Sequence, residues 1–448
     1  MRLLFFLFFS LCISYATEQI TLSQALEKVR QSNLELSIAT LDEDIAQLEQ
    51  KVAEGQTWGS LDLTQSALRS NDALSVFGFK LQSREATFGD FGFSQFDSTN
   101  PNVLHVVPND LNEPQVRNHF QTALEYTIPL YTGGRMQAHQ KIAHAIKVIK
   151  TLSKEELLVQ KQFEVKKTFH TLSLLHYHIA QLRIVASNVA KIEQMTQAML
   201  EEGYAKNVDL LEVQARKSDV QRLLHQSESN QKLLYHFLSF LLQMPIEGIT
   251  LVEEDGTFDV KSETMVLESN SAIQKALKGL DISKMQIDLA HSAFLPQIGA
   301  FASYGSSDNH FLNDFEEKQS YTVGLQMRWN ILRGGIDKNT LEKSRVEHLK
   351  AQLQLRLAQE STLLRWRKLK TQIDNDSFEI ESLKKELRLA EAIYENYAGR
   401  YREKLVSIHE VLLKQSDEIG KRLKLRELQN RRNETFFELE TLISKEIL

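Results

Sequence analysis

Two stretches of this chain alternate residue by residue. Between 120 and 130 the even positions are Phe120, Thr122, Leu124, Tyr126, Ile128 and Leu130, and the odd ones are Gln121, Ala123, Glu125, Thr127 and Pro129. Between 321 and 331 the period returns, with Tyr321, Val323, Leu325, Met327, Trp329 and Ile331 facing away from Thr322, Gly324, Gln326, Arg328 and Asn330. A two-residue period over this length predicts strands, here over 119–131 and 320–332, each with one apolar and one polar face. Weaker alternation predicts partner strands near 59–68 and 296–305. Elsewhere the period is helical. It predicts helices over 21–55 and 270–293, two very long helices over 135–201 and 337–398, and two return helices over 208–242 and 408–446. No proline falls between 130 and 244 or after 296, so nothing interrupts the long ones. At ~1.5 Å per residue, about 65 helical residues span on the order of 100 Å, more than a compact domain. Trp366, Ile373, Ile380, Leu387 and Tyr394 recur every seven residues, with Leu369, Leu383, Ala390 and Tyr397 interleaved. That is a coiled-coil seam, interrupted at Asp376.

These elements occur in the same order twice. Pro-Leu-Tyr-Thr-Gly-Gly-Arg at 129–135 and Ile331-Leu332-Arg333-Gly334-Gly335 each join a strand to a long helix, and Gly133 and Gly334 lie 201 positions apart. The offset holds at Val208-Asp209-Leu210-Leu211 against His409-Glu410-Val411-Leu412. Upstream, Asn33 matches Asn270, Ala53 matches Ala290 and Leu61 matches Ile298, at an offset of 237. The difference of 36 places an insertion in the first copy, between about 64 and 118. The chain is therefore expected to comprise a leader at 1–16, a first repeat at 17–244, a linker at 245–269 and a second repeat at 270–448. Glycine at each strand-to-helix join supplies the backbone freedom that the change of direction needs, which makes Gly133, Gly134, Gly334 and Gly335 candidate joint residues.

Composition narrows the class. Residues 1–16 carry Arg2, an apolar run from Leu3 to Ile13 and a small-x-small site at Ser14-Tyr15-Ala16, the pattern of a secretory signal peptide. The single cysteine, Cys12, lies inside it, so no disulfide or cysteine-based zinc site is expected beyond it. A net charge of −6 and a pI of about 6.2 do not suggest a nucleic-acid partner. After residue 16 no apolar run is long enough for a membrane helix, so any span must be made of strands. No Walker loop, HExxH, GxSxG or dinucleotide fingerprint occurs, and His170, His176 and His178 have the wrong spacing for one helix face. No enzyme, cofactor or metal site is expected.

An alternating strand suits a soluble half-buried hairpin as well as a barrel with lipid outside and water inside. Export favours the barrel. Its outward positions would then be Phe120, Leu124, Tyr126, Ile128, Tyr321, Leu325, Met327 and Trp329. Four strands cannot close a membrane barrel, so copies must share one: 8 strands from a dimer, 12 from a trimer, 16 from a tetramer. The competing reading is a secreted periplasmic coiled-coil scaffold or tether without a pore.

The duplicated strand-Gly-Gly-helix joins, the hairpin tips Asp209-Leu210-Leu211 and Glu410-Val411-Leu412, the Asn33 and Asn270 helix starts and the Leu295-Pro296 step together resemble the TolC-like outer-membrane efflux family. The resemblance covers essentially the whole chain after the leader. It implies an α+β membrane protein: a homotrimer with a 12-stranded outer-membrane β-barrel, four strands per protomer, continuous with an antiparallel coiled-coil helical tunnel in the periplasm. It further implies passive conduction in a tripartite efflux pump or type I secretion system. The partners would be outer-membrane lipid, a periplasmic adaptor (membrane fusion) protein and an inner-membrane transporter of the RND, ABC or MFS type. The family closes its periplasmic tip with acidic and polar rings, which maps here to Glu410 and Tyr401, with Asp209 and Glu212 on the first tip. Leu413 stands where a second family acid would fall. Symmetry copies of Glu410 would crowd like charges and raise its pKa, with Arg400 and Arg402 as possible partners, although a solvated tip acid explains Glu410 equally well. The insertion, taken as an extracellular loop over 70–117, carries Phe77, Phe79, Phe88, Phe91, Phe93 and Phe96. It could seal the barrel mouth, enter the lumen, lie on the outer leaflet or pack on itself as an Ω-like loop.

Overall fold

The computed structural model describes residues 19–252, 262–403 and 405–443; the expected leader with Cys12, and part of the 245–269 linker, lie outside these described residues. The first copy runs α1 (Leu22–Ser32), α2 (Leu34–Gly55), β1 (Ser60–Ser70), α3 (Ala73–Gln82), α4 (Asn109–Asn112), β2 (Arg117–Tyr131), α5 (Arg135–Glu201) and α6 (Asn207–Leu242). After α7 (Glu263–Ser269), the second copy runs α8 (Ser271–His291), β3 (Gln297–Asp308), β4 (Gln319–Arg328), α9 (Ile336–Arg402) and α10 (Ile408–Glu440). Each long helix has 67 residues. β4 ends at Arg328, four residues before the expected end of that strand. Trp329 therefore lies outside it, and its indole N–H donates to the Phe294 carbonyl at 3.0 Å.

The chain forms two compact units, and each draws on both repeats. One comprises the described residues up to Asp44 with Val148–Lys278 and those from Leu353 onward; the other comprises Ile45–Lys147 and Gly279–Gln352.

In the first unit the helices lie side by side. α6 meets α5 through Lys217–Glu193, α5 meets α10 through Lys166–Glu440, and α10 meets α9 through Arg431–Asp376. Trp366, Leu369 and Ile373 pack with Phe436 and Leu439, and Ile380, Leu383 and Leu387 with Leu425 and Leu428. The heptad seam on α9 thus closes against α10. Asp376 does not break it. This side chain is 1% exposed within the seam, and the Arg431 guanidinium donates to it at 2.6 Å while keeping half its own surface in water. A charge buried with a snorkelling partner avoids the uncompensated desolvation that would otherwise open the seam.

The expected single helix over 21–55 breaks at Asn33, whose backbone is extended. The reason is a double cap. The Asn33 side-chain oxygen accepts the first amides of α2, from Glu35 and Leu36 at 3.1 and 3.2 Å, while its amide donates to the Leu241 carbonyl at 3.0 Å. Asn270 repeats this with Ala272, Ile273 and the Leu442 carbonyl. Asn33 and Asn270 keep the offset of 237, and Leu241 and Leu442 keep 201, so both sequence offsets hold within one structural device. Each asparagine ties the kink at the start of one helix to the C-terminal end of another.

The strand-to-helix joins also repeat. Gly133 and Gly134 have φ of 64° and 86°, and Gly334 and Gly335 have 57° and 81°, all in the left-handed region. In both joins the fourth residue after the pair's second glycine closes a hydrogen-bonded helical turn in register: Ala138 N–H donates to the Gly134 carbonyl and Asn339 N–H to that of Gly335, each at 3.0 Å. The joins differ in crowding. A Cβ on Gly133 would lie 2.8 Å from Leu295 Cβ and 3.0 Å from the Ser292 carbonyl, whereas one on Gly334 meets open space.

Two outcomes follow. Gly334→Ala should cost about 1–2 kcal/mol from left-handed strain alone, and Gly133→Ala distinctly more; thermal melting of the detergent-extracted protein ranks them, and equal melting temperatures would remove the crowding argument. Asn270→Ala leaves a buried carbonyl and two helix-start amides unpartnered and should destabilise by about 1–3 kcal/mol in the same assay.

Candidate functional surfaces: a two-faced sheet and an acidic helical tip

The four strands form one antiparallel sheet in the order β1-β2-β3-β4. Its register decides whether the separate alternations add up. Leu63 lies opposite Leu124, which lies opposite Tyr304, which lies opposite Tyr321. The next rows are Leu61–Tyr126–Ala302–Val323 and then Ile128–Ala300–Leu325. Because directly paired residues share a side, all four strands place their apolar positions on one face. Leu61, Leu63, Tyr321, Val323, Leu325 and Met327 there are each more than 60% exposed. The sequence-derived positions Phe120, Leu124, Tyr126, Ile128, Tyr321, Leu325 and Met327 all lie on this face; Trp329 follows the strand's end. A register slip of one residue in any strand would have scattered the band. The opposite face carries Ser60, Asp62 and Thr64, then Thr127, Glu125 and Gln121, then Ser303 and Ser307, then Gln326 and Thr322. It is mainly polar across its width, apart from Leu68, which lies opposite His119, and Phe301, whose ring sits over Gly324. Pro129 is absorbed where β2 slips against β3 by a bulge between Pro129 and Tyr131.

At one end of the sheet the insertion makes a built structure. Val76 is buried, Phe77 meets Phe91 edge-on at 4.9 Å, and Lys80 pairs with Asp90. Its anchor is Glu85, which accepts from both Arg117 and Lys318. Burial pushes the Glu85 carboxyl upward, but the two cationic donors outweigh this and hold it below the ordinary glutamate value. The Arg84 guanidinium donates to the Glu317 and Gln319 carbonyls at 2.9 and 2.6 Å. None of these partners is adjacent in sequence, so no local signal announces the anchor.

The tip residues are placed by helix capping. Glu410 is the third residue of α10. Its carboxylate accepts from the Ser407 backbone N–H at 2.9 Å and hydroxyl at 3.1 Å, and its own N–H donates to Ser407 Oγ at 3.3 Å. Asp209 holds the matching position in α6 and accepts from the Lys206 N–H at 2.8 Å. Both acids thus accept from the backbone N–H three residues earlier at a helix start, Glu410 in a reciprocal cap with Ser407 and Asp209 in its one-sided form, which accounts for their recurrence at an offset of 201. The expectation of a raised Glu410 pKa concerns symmetry copies crowded in a ring; within one copy the carboxyl lies below the ordinary glutamate value. The Ser407 N–H and hydroxyl lower it, with smaller help from the charges of Arg400 and His409. Arg400 rests over the Tyr397 ring at 5.7 Å, and Arg402 turns back to the Ala398 carbonyl. Glu212 is exposed on α6, and Tyr401 is partly exposed at the end of α9. Among the described residues no group of three or more His, Asp or Glu is placed to hold a metal ion, and no helix is long and apolar enough to cross a membrane.

Since the Glu410 carboxyl titrates below its unfolded value, the cap is present above the usual glutamate range and is lost as pH falls through the lowered pKa. Amide exchange at 408–411, corrected for intrinsic rates, should therefore accelerate on acidification. Ser407→Ala should move the onset to higher pH, and an unchanged onset would deny Ser407 its role.

Residues 264–444 match the family model described as outer membrane efflux protein, which takes in nearly all of the second repeat. The alkaline protease secretion protein AprF of Pseudomonas aeruginosa is 24% identical over 152 residues, so the aligned stretch spans 32% of this chain and 32% of that relative. Likeness of fold extends much farther. The Campylobacter jejuni CmeC outer membrane channel superposes with a TM-score of 0.78 at 11% identity, covering 94% of this chain and 85% of that one. The outer membrane protein VceC of Vibrio cholerae gives 0.73 at 15% identity, covering 94% of each. The MtrE outer membrane channel of Neisseria gonorrhoeae, in its open state, gives 0.75 at 13% identity, over 94% and 88%. With a second repeat that matches the outer membrane efflux protein model, a first repeat that copies its caps and joins, and one fold across 94% of the length, the chain is similar to outer membrane efflux proteins and has the fold of the outer membrane channels named above.

Proposed function

We propose that this chain is one protomer of a passive outer-membrane duct for efflux or type I secretion, working as a homotrimer. The observation that carries the reading is the sheet. Its apolar face is four strands wide and exposed, its other face is mainly polar, and β1 and β4 each pair on one side only. In lipid such edges leave amides unsatisfied, so β1 of one copy must pair with β4 of the next. The helices beside these edges have matching needs. α2, which leads into β1, carries Leu34, Ile38, Leu41, Ile45, Leu48 and Val52, spaced by threes and fours and each more than half exposed. α9, which follows β4, exposes Val346, Leu349, Leu353 and Leu357. Unlike edges at the two ends of a sheet form a head-to-tail contact, which generates a ring when the rotation closes. Three copies give twelve strands, enough for a water-filled lumen lined by the polar face. The polar face would line the conduit and the apolar one meet outer-membrane lipid. The helical tips with Glu410, Tyr401, Asp209 and Glu212 would meet a periplasmic adaptor and, through it, an inner-membrane transporter of the RND, ABC or MFS type. A pore-free coiled-coil tether gives no account of an exposed apolar face on the sheet.

The direct test is the mass of the unheated species extracted by detergent from outer membranes. Three chains per particle are expected, and a species released without detergent would end the duct reading. Leu48→Lys on α2 should shift the extracted protein toward monomer; an unaffected trimer would exclude the α2 stripe from the subunit contact.

A further inference from the structure

Resting on the duct reading, we propose that residues 71–116 form a plug in the outer mouth of the barrel, held by contact between the copies of this segment that the ring brings together.

The argument begins with which face the segment covers. Along β2 the positions Arg117, His119, Gln121, Glu125 and Thr127 share the polar side, opposite Leu124 and Tyr126. The segment fastens to this side. Phe79 of α3 stacks flat on the buried His119 ring at 4.1 Å, and Arg117 donates to Ser83 Oγ at 2.8 Å as well as to Glu85. The loop between β3 and β4 behaves differently: Phe311 and Phe315 lie against Phe120 and Tyr304, on the apolar side. The two connections at this end of the sheet thus clasp opposite faces, and only the insertion occupies the face that a closed barrel turns toward its axis.

The segment is also preorganised. Beyond Lys80–Asp90, Ser94 donates to Asp110 at 2.8 Å and the Asn109 N–H to Gln95 at 2.6 Å, while Gly92 lies so close to Pro108 that a Cβ would fall 2.4 Å from its ring. A self-braced unit of this kind obstructs a lumen as a body instead of collapsing onto the wall. Yet it leaves its largest side chains uncovered. Phe88 contacts Phe93 edge-on at 6.1 Å, Phe93 lies 6.5 Å from Phe96, and all three are more than half exposed, as is Leu104. Burying one such ring fully is worth about 1.5–3 kcal/mol, so an aromatic cluster left in water calls for a partner. Lipid is on the wrong side, since the anchor lies on the polar face. What symmetry does supply at the axis is the same cluster from the neighbouring copies. A hydrophobic contact there would close the mouth, and displacement of the segment would open it.

External labelling tests this without depending on the state of the periplasmic tip. In a Cys12→Ala background, Glu125→Cys on the polar face is treated on intact cells with a bulky, membrane-impermeant maleimide, and Leu325→Cys on the apolar face serves as the reference. With the segment intact, Glu125→Cys should react at least about tenfold more slowly than in a Phe88→Ser/Phe93→Ser/Phe96→Ser chain, a factor equivalent to ~1.4 kcal/mol of closure. Excision of 73–112 with a short turn in its place should give the same release. Leu325→Cys should stay unreactive throughout. Equal Glu125→Cys rates in the intact, serine and excised chains would overturn the plug and leave the duct standing. Labelling of Leu325→Cys as readily as Glu125→Cys would overturn the duct, and the plug with it.

Discussion

A backbone amide left without a partner in hydrocarbon costs several kcal/mol, and this chain ends its sheet with two rows of them. β1 and β4 each present a free edge while exposing an apolar face that cannot rest in water as it stands. Neither fault can be mended within one copy, because four strands do not close. Assembly into a ring mends both, and the helices that run into and out of the edge strands carry apolar stripes suited to the same contact. An oligomer of this kind would be a consequence of hydrogen-bond satisfaction in the sheet more than of any single side chain.

Duplication explains how one chain builds the device. The two asparagine kinks, the two glycine joins and the two acidic caps are each one solution used twice. In every pair the backbone geometry is kept while the surroundings drift. Gly133 is pressed against Leu295 and Ser292, whereas Gly334 has space. Asp209 caps with an aspartate where Glu410 uses the longer acid. Drift of this kind lets one face of a ring acquire a property, such as the anchored insertion, that its repeat lacks. In the proposed ring each protomer would contribute one inserted segment and one short loop, with the inserted segment on the polar side of only every second hairpin.

The polar groups follow one rule, which is that each charge removed from water is met at short range. Asp376 in the coiled-coil seam has Arg431, and Glu85 at the sheet end has Arg117 and Lys318. The tip acids obey it through backbone donors.

Much of this was legible in the sequence for a physical reason. Alternation and heptad spacing are projections of burial onto the chain, so β2, β4, α5 and α9 could be found from them, and the two offsets exposed the repeat and its insertion. The glycine joins were legible because positive φ leaves few residue choices. Other features depend on contacts between distant positions. The double cap at Asn33 requires the Leu241 carbonyl, and the sequence alone ran α1 and α2 together. Asp376 looked like a fault in the seam until Arg431 was placed beside it. Trp329 fitted the alternation, but the strand ended before it, since period alone does not say where pairing stops. The Phe-rich insertion had several possible positions. Only the register of β2, which sets Arg117 and His119 on the polar side, decided which face of the sheet it covers.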